Sequence, residues 1–220
     1  GRLDVLTSGH GRTHLFVRSG TGWAHRDLSD EAGAGVSLGD VDRDGRVDIA
    51  IPGAWLRAPA DPLLGPFTRY PVAPAPEGDE VLLVDLDGDR RLDLVECDAH
   101  SARELAWYQA PRDPRQPGWT RRVIDPAMGS HHPEAADFDG DGRADLLMGL
   151  ELQDLSIYWN RKGSPPAFQK QRLDTAAAHN ARAGDLDGDG DPDVFGVDWI
   201  GHAPAKVHLN PRPRRTLRRR

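Results

Sequence analysis

Four segments of the chain place aspartate at the first, third, fifth and ninth of nine positions, at residues 40–48, 85–93, 137–145 and 185–193. Carboxylates this close together repel one another unless a positive charge lies between them. Alternate side chains of a tight loop turn towards one centre, and a main-chain carbonyl at position 7 adds another oxygen. Six to eight oxygen ligands suit calcium, whereas magnesium demands a stricter octahedral arrangement. The pattern therefore predicts one calcium ion per loop, about four in all.

The predicted ligands are the aspartates of each loop and the carbonyl of the residue at position 7. They are Asp40, Asp42, Asp44, Arg46 and Asp48 in the first loop; Asp85, Asp87, Asp89, Arg91 and Asp93 in the second; Asp137, Asp139, Asp141, Arg143 and Asp145 in the third; and Asp185, Asp187, Asp189, Asp191 and Asp193 in the fourth. Glycine at position 6 permits a left-handed turn in three loops, but Arg90 occupies that position in the second. We therefore expect the second loop to bind calcium most weakly.

Other readings of these loops fit the sequence less well. An EF-hand requires glutamate at position 12 and flanking helices, but position 12 here is Ile51, Glu96, Met148 or Gly196 and the following residues are β-rich. A dockerin-type repeat would also place a helix after the loop. The remaining alternative is an acidic surface turn without metal, and four loops in register argue against it.

The loops recur with a regular period. The ninth-position aspartates Asp48, Asp93, Asp145 and Asp193 follow one another at intervals of 45, 52 and 48 residues, and Asp4 lies 44 residues before Asp48. Each period of about 47 residues contains four short strand-like segments, which we call strands A to D, with the loop between A and B. A period of roughly 40–50 residues with four strands is typical of a β-propeller blade. The sequence therefore predicts an all-β chain of four-stranded antiparallel blades.

The repeat divides residues 1–210 into blades at about 1–30, 31–75, 76–126, 127–175 and 176–210, and a basic tail at 211–220 that we expect to be disordered. The first blade lacks strand A and the last lacks strand D. Eighteen strands cannot fill five four-stranded blades. We therefore predict a partial segment, of about four to five blades, of a larger propeller whose remainder is missing. A permuted or irregular small ring is the alternative.

The run Gly184-Asp-Leu-Asp-Gly-Asp-Gly-Asp-Pro-Asp-Val-Phe-Gly196 resembles the signature of the FG-GAP/VCBS repeat family, the integrin-α-like propellers. The resemblance extends over about residues 1–210. It implies a structural calcium site between strands A and B of each blade. It also implies an extracellular or cell-surface location, with the periplasm as an alternative. Arg90 and the missing front of the first loop depart from the family pattern.

A second set of candidates lies at the predicted starts of strand A and ends of strand B, on the face opposite the calcium loops. The catalytic candidates are His131, His132, Glu134, His179 and Arg182, and the ligand-binding candidates are Asp79, Glu80, Asn180, Asp98, Trp199 and Trp55. Imidazole and carboxylate groups could transfer protons or bind a transition metal there, and the two tryptophans could stack on a sugar. A solvated polar rim is the plainer interpretation. Leu38 and Leu83, two residues before their loops, are expected to pack between blades.

Three functions remain open. The first is a calcium-stabilised module that binds a glycan or protein on this opposite face. The second is part of a secreted carbohydrate-active enzyme of lyase or dehydratase type, and the third is a purely architectural repeat. No nucleophile elbow, phosphate loop or dinucleotide fingerprint supports an enzyme class, so an enzyme is the weaker expectation for this segment alone.

The composition limits the kinds of partner that the sequence predicts. The net charge is −7 although six arginines lie in the tail, and that tail has no interleaved aromatic residues, so nucleic acid is not expected as a partner. No apolar run approaches the length of a membrane span. Cys97 is the only cysteine, which excludes disulfides within the chain, and its apolar neighbours predict a small buried residue.

Overall fold

The computed structural model describes residues 4–9, 12–29, 35–73, 80–98, 104–126, 130–150, 154–175, 179–197 and 205–211. Within these ranges the regular structure is entirely β-strand, arranged as five antiparallel sheets. The described residues include no helix with the length and hydropathy needed to cross a membrane.

Each sheet is a meander in which consecutive strands are neighbours. The first contains β1 (Val5–Gly9), β2 (Arg12–Ser19) and β3 (Gly22–Ser29); the second β4 (Ser37–Gly39), β5 (Asp48–Ile51), β6 (Ala54–Arg57) and β7 (Thr68–Pro71); the third β8 (Glu80–Val84), β9 (Asp93–Cys97), β10 (Leu105–Gln109) and β11 (Thr120–Asp125); the fourth β12 (Ser130–Ala136), β13 (Asp145–Leu150), β14 (Leu155–Arg161) and β15 (Ala167–Asp174); and the fifth β16 (Asn180–Gly184), β17 (Asp193–Val197) and β18 (Lys206–His208).

This arrangement confirms the predicted all-β class with propeller-type blades. The second, third and fourth sheets each have four strands that correspond to A, B, C and D, and the first and fifth have three. The described part of the chain thus contains 18 strands, in the predicted order. In the second and third sheets strand B is the most deeply buried strand, and β5 and β9 are buried along their whole length. A strand with neighbours on both edges and both faces requires an apolar run rather than alternation.

The chain separates into two compact units, residues 1–133 and 134–220. In the first unit, the second and third sheets pack face to face through a cluster that includes Ala50, Trp55, Val81, Leu94 and Tyr108. The second sheet also packs on the first, where Ile49, Ile51 and Leu56 contact Leu6 and Leu28. Packing of neighbouring sheets through their faces is the organisation expected of adjacent blades.

The second unit repeats this packing between the fourth and fifth sheets. Phe138, Leu147 and Ile157 form its core with Ala181 and Val194. The apolar residue after the first aspartate of a loop, Val41, Leu86 or Phe138, is buried in each of the first three loops. These side chains join the loops to the core, so the position of a loop is determined by the packing of its blade.

Two predictions about individual side chains are wrong. Trp55 was proposed to stack on a sugar, but it is fully buried, lies against Tyr70 at 4.7 Å between ring centroids, and donates its indole N–H to the Pro114 carbonyl at 3.3 Å. Leu38 was expected to pack between blades as Leu83 does, but it is 54% exposed. Leu38 lines an apolar cavity of about 390 Å³ with Leu6 and Leu15 of the first sheet, which has three strands within the described residues.

Candidate metal sites

Each aspartate loop connects strand A to strand B of a four-stranded blade or of the last, three-stranded one. The loops follow β4, β8, β12 and β16, and the ninth-position aspartates are the first residues of β5, β9, β13 and β17. The loop is therefore held at both ends by paired strands. A rigid frame of this kind fixes the positions of the carboxylates before any ion is bound.

The aspartate at position 1 organises the turn. Asp40 accepts the N–H groups of Asp44 and Gly45, each at 2.9 Å. The same pair of bonds recurs at Asp85, Asp137 and Asp185 with distances between 2.7 and 3.1 Å. Asx-type bonds of this kind curl the chain so that its side chains turn inward.

The aspartate at position 9 joins the loop to strand C. Asp93 accepts the N–H of Leu86 at 3.2 Å through one oxygen and the N–H of Ala110, after β10, at 2.8 Å through the other. Asp48, Asp145 and Asp193 make the equivalent two bonds. All four carboxylates are almost fully buried. Position 9 is thus a structural element of the blade in addition to a candidate ligand.

Three of the predicted ligands converge in every loop. Carboxylate oxygens from positions 1, 3 and 9 lie within 4.8 Å of one another, in the sets Asp40, Asp42 and Asp48; Asp85, Asp87 and Asp93; Asp137, Asp139 and Asp145; and Asp185, Asp187 and Asp193. Position 5 behaves differently in the first three loops, where Asp44, Asp89 and Asp141 form ion pairs with the arginine two residues later. The role of the position 7 carbonyl as a ligand stays a prediction.

Cationic and amide side chains from strand C or just beyond it also reach the third position. Arg57 contacts Asp42 and Asp44 at 2.5 Å each, Gln109 donates to Asp87 at 2.5 Å, and Arg161 contacts Asp139 at 2.9 Å. In the fourth loop the apolar Leu209 immediately precedes Asn210, as Arg57 precedes Ala58 and Gln109 precedes Ala110. Sequence reasoning missed these residues, because their contribution depends on the register of strand C against the loop.

The first loop offers a direct test of whether its residues suit a cation. The Asp42 side chain is only 2% exposed, and its Oδ1 atom is buried without a hydrogen-bond partner. A buried carboxylate oxygen without a donor costs free energy unless a cation or another donor satisfies it. Asp40 and Asp48 supply oxygens beside it. The donor set, oxygen only and carboxylate-rich, fits calcium.

Backbone geometry identifies two loop positions that require left-handed conformation, of which sequence analysis recognised one. Position 6 has a positive φ in every loop, including Arg90 at 70°. Position 4 does so too, with glycine in three loops and Arg43 at 59° in the first. A non-glycine residue in this region costs on the order of 1–3 kcal/mol. The weakness expected of the second loop stays a prediction, and the first loop carries a similar strain.

Burial sets the ionisation of the ninth-position carboxylates. Desolvation raises the pKa of Asp93 to about 7 and that of Asp145 to about 6, and it also raises the pKa of Asp48. At Asp193, the hydrogen bond from the Asn210 N–H, with that of Leu186, instead holds the pKa below its ordinary value. Raised values mean that the ionised carboxylate lacks stabilisation in the ion-free fold. A bound divalent cation would supply it.

The strand starts hold the second set of candidates, and the structure joins several of them in pairs. In the first unit, Glu80 is buried and its Oε1 lies 3.3 Å from His132 Nδ1. In the second unit, Glu134 Oε1 lies 3.2 Å from Arg182 Nε, and His179 contacts the amide of Asn180 at 3.1 Å.

The other members of this set are less accessible. Asp98 is 3% exposed at the end of strand B, and its N–H donates to the Glu104 carbonyl at 3.2 Å. Burial leaves its side chain little surface to offer a ligand. Asp79, Trp199 and the side chain of His131 lie outside the described residues. Glu96, which sequence analysis did not select, is buried and accepts the Gly53 N–H at 2.6 Å, a contact between the second and third blades.

Comparison with known proteins gives one family. Residues 85–148, which include the second and third loops and the strands between them, match the family described as FG-GAP-like repeat. No curated protein matches the chain. The matched segment begins at Asp85 and includes Asp145, so it contains both loops in full.

Proposed function

From the match of residues 85–148 to the FG-GAP-like repeat family and from the loop geometry, we propose that the chain is a calcium-stabilised binding module of an extracellular or cell-surface protein of this family. Calcium binds in the four aspartate loops. The repeats of this family are typically extracellular, where calcium is abundant enough to fill weak sites. The module binds its partner, a glycan or a protein, on the end of the blades opposite the loops.

One observation carries the calcium proposal. Three carboxylates converge within 4.8 Å in each of four loops that share the same hydrogen bonds. In the first loop this arrangement leaves Asp42 Oδ1 buried and without a donor. Carboxylates held this close repel one another, and a calcium ion bound between them would offset that repulsion in each of the four loops.

Calcium acts on stability in this proposal. The loop joins strand A to strand B, and its ninth-position aspartate also holds the end of strand C. An ion that draws positions 1, 3 and 9 together therefore connects three strands of one blade. Because the unfolded chain has no such site, the binding free energy adds to the free energy of folding.

Isothermal titration of EDTA-treated, desalted protein with calcium tests this proposal. We expect about one ion for each loop, a higher melting temperature in calcium, and a weaker response to magnesium, which suits such a site poorly. Asp42→Asn keeps the size of the side chain and should remove one equivalent. Asp113→Asn, an exposed aspartate paired with Arg115 outside the loops, is the matched control and should bind as the parent does.

A melting temperature and heat signal that do not change with calcium would contradict the proposal. Equal loss of binding in Asp42→Asn and Asp113→Asn would contradict the assignment to the loops. The experiment tests calcium binding independently of partner binding, because neither substitution changes a residue at the strand starts.

The partner proposal rests on the paired charges at the strand starts. Arg182 and His132 keep 53% and 31% of their side chains exposed while a carboxylate neighbour holds each of them. Side chains that are both exposed and held in place lose little conformational freedom on binding. The ion pairs Glu80–His132 and Glu134–Arg182 can exchange partners with the hydroxyl, carboxylate or amide groups of a ligand.

A glycan array and a panel of purified cell-surface proteins, probed with calcium-loaded protein, test this proposal. The double variant His132→Ala and Glu134→Ala should lose at least about tenfold in affinity for whatever the parent retains, since truncated hydrogen-bonded charge pairs commonly cost 2 kcal/mol or more. Gln116→Ala, an exposed polar residue elsewhere, should not. Binding that the double variant retains in full would exclude these strand starts. If the parent converted a bound glycan to product and the double variant did not, the result would instead support the alternative that the protein is an enzyme.

A further inference from the structure

Two histidines and an aspartate lie together on the first sheet, and none of them belongs to the aspartate loops or to the strand-start candidates. His14 on β2 is the cross-strand partner of Asp27 on β3. His25 precedes Asp27 by two residues and faces Phe16, which follows His14 by two. Because alternate residues of a strand share a face, the three side chains project from the same side of the β2–β3 pair. Leu15 and Val17 are buried on the other side, in the core.

The polar atoms of this cluster surround one small volume. His14 Nδ1 lies 2.7 Å from Asp27 Oδ1, His25 Nε2 lies 3.0 Å from the same oxygen, and the two ring nitrogens are 3.4 Å apart. Ligand atoms at about 2.0–2.1 Å from a tetrahedral zinc ion are separated by about 3.3 Å. The nitrogen–nitrogen distance already matches this spacing. The two distances to the oxygen, 2.7 and 3.0 Å, need to increase by roughly 0.6 and 0.3 Å to reach it.

We propose that His14, His25 and Asp27 form a zinc site that is separate from the calcium loops. Two imidazoles and one carboxylate are the ligand set of zinc and related transition metals, whereas calcium prefers oxygen alone. Three protein ligands leave a fourth position for water or for a side chain of a partner. This inference goes beyond the proposed function, because it uses none of the residues assigned there.

Neighbouring contacts hold the ligands in orientation. The ring of Phe16 stacks on His25 with centroids 4.9 Å apart. Arg12 Nη1 lies 3.3 Å from Asp27 Oδ2, so it holds one carboxylate oxygen and leaves Oδ1 to the histidines. The pairing shifts register between Thr13 and His14, beside the cluster, as occurs where a bulge directs side chains at a functional position.

Some charges around the cluster attract a metal ion and others repel it. Asp27 supplies a carboxylate whose negative charge attracts a metal ion. Arg12 repels a cation, but its side chain is 55% exposed and can move into solvent. His14, His25 and Asp27 are 27%, 50% and 39% exposed, so an ion can reach them without unfolding the sheet.

The test is a zinc titration of the whole chain in excess calcium, which keeps the aspartate loops filled. We expect one zinc ion per chain, and a cobalt derivative with the visible absorption of a tetrahedral site. Mutation of a residue that only hydrogen-bonds to a metal ligand commonly lowers metal affinity by about 10–100-fold. His25→Ala removes a ligand itself, so it should weaken zinc binding by more than about tenfold. His208→Ala removes a histidine that faces Asp174 at 3.5 Å beside Lys206, and it should bind zinc as the parent does.

Imidazole NMR gives a second measurement that does not depend on a variant that folds. Zinc should shift the ring nitrogen signals of His14 and His25 and leave that of His208 unchanged. Undiminished zinc binding by His25→Ala, displacement of zinc by calcium, or ring signals that do not respond to zinc would each overturn the proposal.

Discussion

Replacement of Asp93 by alanine is expected to destabilise the calcium-free protein by about 3 kcal/mol at pH 5.5. The substitution leaves the N–H groups of Leu86 and Ala110 without their acceptor, and both residues are buried. Each buried donor without a partner costs about 1–3 kcal/mol. For a chain of this size the melting temperature should fall by roughly 6–12 °C. Urea unfolding in EDTA, followed by circular dichroism, measures the effect.

Asp87→Ala is the matched control, because Asp87 belongs to the same loop and the same candidate metal site. Its carboxylate accepts the Gln109 side chain at 2.5 Å and the Asp89 N–H at 3.1 Å, and it is only half-buried. Without calcium its loss should change the unfolding free energy by less than about 1 kcal/mol. If Asp87→Ala and Asp93→Ala were equally stable in EDTA, position 9 would not have the structural role assigned to it.

The sequence was sufficient to predict the blades, because the fold repeats a local pattern. The intervals between Asp48, Asp93, Asp145 and Asp193 fixed the period, and the apolar runs after them identified strand B, which is buried as expected. The aspartates at positions 1, 3 and 9 also converge as the spacing indicates. These features depend on residues within one loop and its adjoining strands, so a single sequence contains their determinants.

Features that depend on contacts across strands or blades were not predictable in the same way. Arg57 reaches Asp42 only because strand C ends beside the loop, a consequence of register. Trp55 is buried because the third blade covers it, and Leu38 is exposed because the first sheet leaves it uncovered. Periodicity gives the direction of a side chain within its strand, but it does not show what lies opposite.

The position 5 aspartates show a further limit, which is electrostatic. Spacing alone makes Asp44, Asp89 and Asp141 equivalent to their neighbours, but the arginine at position 7 pairs with each of them. Under the calcium proposal, the ion must therefore compete with a side chain of the same loop for this oxygen. In the fourth loop, Asp191 replaces that arginine and adds a carboxylate. We infer that the fourth loop attracts calcium most strongly among the four.

Raising the pH from about 4.5 to 7.5 is expected to destabilise the calcium-free protein. Burial raises the pKa of Asp93 to about 7 and that of Asp145 to about 6, above the value of 3.8 for a solvated aspartate. In this window the folded chain holds protons that the unfolded chain has lost, so its free energy of unfolding falls as the pH rises. Since one pKa unit corresponds to about 1.4 kcal/mol, the two groups together contribute several kcal/mol, less where water reaches them. Urea unfolding in EDTA across this range measures the slope.

Two variants identify the residue that makes the free energy of unfolding depend on pH. Asp93→Asn should flatten the pH dependence between about 5 and 7, because the amide does not titrate. Asp193→Asn should leave it unchanged, because hydrogen bonds lower the pKa of Asp193 and its contribution is lost only as the pH falls below 3.8. The lowered pKa values of Asp27 and Asp113 act in that same acidic range. Under the calcium proposal the ion binds ionised carboxylates, so it should stabilise the protein more at pH 7.5 than at pH 5. An unaltered slope in Asp93→Asn would show that this buried carboxylate does not couple folding to protons, and with it the reason for a cation at position 9 would disappear.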